Sequence, residues 1–158
     1  PSKRVTVNGI VIKESGTVAS GSGGIATTAD TEDITLNAPI VREAYGNGIQ
    51  CAGKATITGA RVRGGGATTS NGISLTATGC VVTGAIIEAT PSSGISIGAD
   101  RCVVAGAMLD GCCVDQGGGA YLLVVGNVNR ASISGIVARK VSTGSYGVRI
   151  ASGTGASS

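Results

Sequence analysis

Apolar residues recur along this chain in short alternating bursts separated by glycine, and the bursts repeat. Residues 48–119 show the pattern: GIQCAGKATITGARVRGGGATTSN, then GISLTATGCVVTGAIIEATPSS, then GISIGADRCVVAGAMLDGCCVDQGG. Each block opens on Gly-Ile, alternates apolar with small polar residues, passes a Gly-Ala pair and closes in a turn rich in Gly, Ser or Thr. The opening glycines fall at Gly24, Gly48, Gly72, Gly94, Gly119 and Gly147. A repeat of about two dozen residues made of period-2 strands predicts a solenoid.

One frame runs through the whole chain. Residues 4–15, RVTVNGIVIKES, align without a gap on residues 33–44, DITLNAPIVREA. One column reads Val7, Leu36, Ile57, Val82, Val104, Ile133; a second reads Gly9, Ala38, Gly59, Gly84, Gly106, Gly135. A third reads Ile12, Val41, Val62, Ile87, Leu109, Ala138, and a fourth Ile25, Ile49, Ile73, Ile95, Ala120, Val148. The columns persist through spacings of 21 to 29 residues, so turns absorb the insertions while strands keep register.

Strand side chains alternate between faces, and stacked strands lie about 4.8 Å apart. Equivalent inward residues then form aliphatic ladders, each side chain contributing about 1.5–3 kcal/mol when fully buried. Val82 is expected to face inward and Thr83 outward. The Gly-or-Ala column is expected to mark a sharp bend where a Cβ would crowd the corner. Three short strands per coil fit the frame, and the handedness of parallel crossovers predicts right-handed coiling. The expectation is therefore an all-β, right-handed, single-stranded parallel β-helix of about six coils without substantial helix, residues 1–158 forming one domain. Residues 15–23, 64–71, 90–93, 111–118 and 140–146 are expected as turns at one shared corner. Residues 123–130 are expected to lengthen another. Asn47-Gly48 and Asn71-Gly72 are read as turn residues tolerant of positive φ.

Composition narrows the chemistry. Of 158 residues 28 are Gly, with three Tyr and no Phe, Trp or His, and the net charge is +3. The missing histidine removes Ser-His-Asp and Cys-His catalysis and the commonest zinc ligand. No basic stripe with interleaved aromatics is present, so nucleic acid is not an expected partner. No apolar run approaches a membrane span and no signal peptide is visible. The chain opens on Pro1 rather than Met, as a processed chain or a segment of a longer one would. Cys51 aligns with Leu75 and Ile97, and Cys80 and Cys102 share a column with Ile34 and Ala55, which reads all three as small core hydrophobes. Cys80 stacked on Cys102 invites a disulfide, although adjacent parallel strands offer it poor geometry. Cys112 and Cys113 read as loop residues of which at most one faces inward, and the odd total leaves a free thiol or an interchain bond.

With these columns the chain resembles the right-handed parallel β-helix (pectate-lyase-like) superfamily, and most of all a phage tail spike or tail fibre segment. That fold hosts lyases, hydrolases, adhesins and inert spikes alike. Enzymes of the superfamily cleave polysaccharides with acidic residues on neighbouring coils, which draws attention to one outward column: Lys13, Arg42, Arg63, Glu88, Asp110, Arg139. Glu88 and Asp110 are the catalytic candidates, a stacked like-charge pair able to split its pKa values and serve as acid and base or nucleophile. The competing reading is a surface ladder whose ends are paired by opposite charges. No aromatic platform for a sugar and no calcium-type cluster of aspartates accompanies the pair, and neither cofactor nor metal is expected. The resemblance implies a structural or adhesive virion component, extracellular, contacting other tail proteins and host surface polysaccharide. It also implies a homotrimer, with Ala60, Ala85 and Ala107 read as exposed small residues that permit close packing. A polysaccharide depolymerase and a bacterial surface adhesin or autotransporter passenger are the alternatives.

Overall fold

In a computed structural model of the chain, residues 4–13, 23–64, 71–113, 121–126, 128–139 and 146–150 are described. They form six successive coils of three strands. The first holds β1 (Val5–Asn8), β2 (Val11–Lys13) and β3 (Ile25–Thr27), the second β4 (Ile34–Asn37), β5 (Ile40–Ala44) and β6 (Ile49–Cys51). The third holds β7 (Ala55–Thr58), β8 (Arg61–Gly64) and β9 (Ile73–Leu75), the fourth β10 (Val81–Thr83), β11 (Ile86–Glu88) and β12 (Ile95–Ile97). The fifth holds β13 (Cys102–Ala105), β14 (Met108–Asp110) and β15 (Tyr121–Val125), the sixth β16 (Ala131–Ser134), β17 (Val137–Arg139) and β18 (Tyr146–Ile150).

Every third strand pairs in parallel with its equivalent. Sheet A is β1-β4-β7-β10-β13-β16, sheet B is β2-β5-β8-β11-β14-β17 and sheet C is β3-β6-β9-β12-β15-β18. The fold is a parallel β-helix. Among the described residues no helix is long and apolar enough to cross a membrane.

The core is the set of inward ladders. Leu36, Ile57, Val82 and Val104 pair in register in sheet A and are buried, as are Val41, Val62, Ile87 and Leu109 in sheet B. Ile49, Ile73, Ile95 and Leu123 form the corresponding ladder in sheet C. Thr83, next to buried Val82, is only half-buried, so the alternation read from the sequence has the correct phase.

One rung differs from expectation. Ile95 pairs with Leu123, and Leu123 with Val148, so Ala120 does not belong to that column and Gly119 does not open the fifth block. Residues 123–125 are strand rather than part of a corner insertion. The run Ala-Tyr-Leu-Leu-Val-Val suits a strand in several registers, and burial of Leu123 and Val125 selects this one.

The Gly-or-Ala column has a different cause from the one expected. Gly9, Ala38, Gly59, Gly84, Gly106 and Gly135 all have φ between 48° and 65°. At Gly9, Gly59 and Gly84 an added Cβ would meet nothing within 4 Å. The bend needs a left-handed dihedral, and at these three glycines it leaves space free. The residue after it turns inward: Ala60, Ala85 and Ala107 are buried, not exposed, so they present no small outer surface for trimer packing. Nor do Asn47 and Asn71 supply positive φ. The other left-handed residues are Glu43, at the register irregularity within β5, Ala89, Gly111 and Cys113 after sheet B, and Asp33, Gly79 and Arg101 before sheet A. Asn47 instead accepts the Asn71 N–H through its Oδ1 at 2.9 Å, tying one coil to the next. The predicted turns at 15–23, 64–71, 111–118 and 140–146 lie largely outside the described residues, but all of them connect sheet B to sheet C.

Candidate functional site

The outer face of sheet B gathers the chain's most distinctive surface chemistry. Alternation places two outward positions on each strand. One column is the charged one, and its register is as read: Lys13 pairs with Arg42, Arg42 with Arg63, Arg63 with Glu88, Glu88 with Asp110 and Asp110 with Arg139. The second, two residues upstream, holds Val11, Ile40, Arg61, Ile86, Met108 and Val137. The sequence reading followed the charges and passed over this apolar column. The signal was present, since each member is two residues before a charged one and next to an inward aliphatic.

Ile40, Arg42, Arg61, Arg63, Glu88 and Met108 border an open groove of ≈ 440 Å³ between the columns. Glu88 is exposed and Asp110 half-buried. Asp110 Oδ1 is buried and accepts no hydrogen bond. Among the described residues neither carboxylate forms an ion pair, so the expected pairing of the ladder's ends by opposite charges is not made within the chain. Glu88 and Asp110 stand side by side on a flat sheet, about 4.8 Å apart at the backbone. No aromatic residue lies on the strands of sheet B.

Other polar clusters serve the coil-to-coil stack. Asp33 accepts a hydrogen bond from Lys54 Nζ at 3.0 Å and faces Arg4 Nε at 3.7 Å. The Lys54 hydrogen bond and charge hold its carboxyl below the ordinary range. Asp100 accepts from the Asn129 N–H at 2.8 Å and Asn129 Nδ2 at 3.2 Å, which likewise lowers it.

The five cysteines are all buried and none is in a disulfide, so Cys80 and Cys102 are not joined. Cys112 and Cys113 are both inside, against the expectation of at most one. Cys113 has a φ of 67°, which breaks the alternation and turns both side chains inward. Burial raises the Cys112 thiol and pushes Cys113 up to about 12, and Cys102 is raised by its hydrogen bond with Cys80 and by burial. Thiols so placed are poor nucleophiles. Among the described residues no group of three His, Cys, Asp or Glu is arranged to hold a metal ion. No family model, characterised protein or solved structure matches the chain.

Proposed function

We propose that this chain is a structural and adhesive β-helix segment of a virion, part of a bacteriophage tail spike or tail fibre that takes part in host-surface attachment. The observation that carries the reading is the stack: three six-stranded parallel sheets around an aliphatic core make a stiff rod. The virion assignment draws on the likeness of the repeat to tail-spike solenoids.

The test is immunogold labelling with antibodies to this chain, on virions and on cell envelopes from its source. Label on tails is the expected result, whereas label on envelopes alone would replace the virion with a bacterial surface adhesin. The depolymerase reading is tested by release of reducing ends from host polysaccharide. No release is expected. Release by the wild type that vanishes in a Glu88→Gln, Asp110→Asn double variant would overturn the structural assignment, since a pair of neighbouring carboxylates is the machinery of glycoside hydrolysis.

A further inference from the structure

An exposed column of Val, Ile, Ile, Met and Val on sheet B is not matched on sheet C, whose outward positions include Ala26, Gln50, Ser74 and Ser96. Val11 and Val137 are 53% and 48% exposed, and Ile40, Ile86 and Met108 half-buried. The charged column beside it runs in the order plus, plus, plus, minus, minus, plus from Lys13 to Arg139. Its central four members are antisymmetric about the boundary between the third and fourth coils.

From this order we infer that the outer face of sheet B pairs with the same face of a second copy, in a two-fold dimer with antiparallel solenoid axes. The two-fold lies along the strand direction between β8 and β11. That operation keeps each column opposite itself and reverses the coil order. Arg63 then faces Glu88 of the second copy, and Arg42 faces its Asp110. Ile40 meets Met108 and Val11 meets Val137, apolar on apolar. Arg61 lies over Ile86 with Glu88 diagonally in reach. Only the Lys13 and Arg139 ends meet as like charges, at the solvated rim. A two-fold along the solenoid axis would instead set the apolar column against the charged one, place Arg61 over Arg63, and leave no charge directly opposite one of the other sign.

The dimer is weak. Six strands about 4.8 Å apart and about 10 Å of strand length give a flat footprint of roughly 250–300 Å², far below the ~800 Å² per partner of a standard interface. It is also salt-sensitive, because its specificity lies in partly exposed charges. Such charges act mainly by suppressing wrong arrangements.

Arg42 and Asp110 make a decisive test because they sit on strands three rungs apart, about 14 Å, and cannot meet within one copy. In Arg42→Asp both two-fold-related contacts become like-charged, and the same holds for Asp110→Arg. In a mixed dimer of the two variants both contacts are restored. Sedimentation equilibrium of the 158-residue chain at low salt, up to on the order of 1 mM, is the measurement. The wild type is expected to dimerise, each variant alone to associate about tenfold or more weakly, and the equimolar mixture to recover dimer. Circular dichroism of each variant checks folding, and Arg42→Gln with Asp110→Asn gives a milder pair if reversal disturbs the fold, each expected to weaken the wild-type dimer. A strictly monomeric or trimeric wild type, unaffected variants, or a mixture that stays monomeric would each overturn the dimer.

Discussion

The two corners that flank sheet B solve opposite problems with the same residue. Between sheets A and B every coil spends two residues, from Gly9-Ile10 to Gly135-Ile136, and the first always has positive φ. Between sheets B and C the connection ranges from four residues (45–48) to eleven (14–24). Yet at the first, second and third re-entries the chain squeezes past its neighbour. An added Cβ on Gly24, Gly48 or Gly72 would lie 2.6–2.7 Å from a carbonyl oxygen of the next coil and collide with the side chain of Val41, Val62 or Ile87. Glycine serves dihedral freedom at the constant corner and close approach at the variable one. Ala38 shows the difference, since alanine is tolerated where the need is conformational.

The sharpest way to break this contrast is insertion. One residue added between Gly84 and Ala85 would reverse the facing of β11 and expel Ile87 from the core, so loss of the cooperative thermal transition is expected. Two residues added between Ala67 and Thr68, in a connection whose length already varies, should cost less than about 0.6 kcal/mol. Equal damage at the two sites, measured by denaturant titration, would contradict the distinction between a constant and a variable corner.

Smaller effects follow at the glycines. Gly72→Ala would press a methyl group against the Gly94 carbonyl and Ile87, and a loss of about 3 kcal/mol is expected. Gly84→Ala meets nothing and carries only the left-handed penalty, about 1–2 kcal/mol. The smallest change has the opposite sign. Ala38→Gly relieves its strained φ of 48° and should raise stability by about 0.5 kcal/mol after the entropy of glycine is counted. Matching losses for Gly72→Ala and Gly84→Ala in urea melts would show that one cause underlies both columns.

The inward ladders of sheets A and B were legible in the sequence to the residue, because period-2 alternation fixes facing and a constant two-residue corner leaves no freedom in register. The pairing of Glu88 with Asp110 followed from the same arithmetic. Where a connection varies in length, local pattern no longer sets register. Ala120 lost its column to Leu123 because only packing against Ile95 and Val148 chooses among the registers of an apolar run. The positive φ at Cys113 placed two adjacent thiols inside, and no alternation rule foresees it. The burial of Ala60, Ala85 and Ala107 likewise depends on the left-handed residue before each. What joined the apolar and charged columns into one face was stacking. Residues more than twenty positions apart become neighbours only when the coils lie on one another, and that proximity is a property of the closed solenoid.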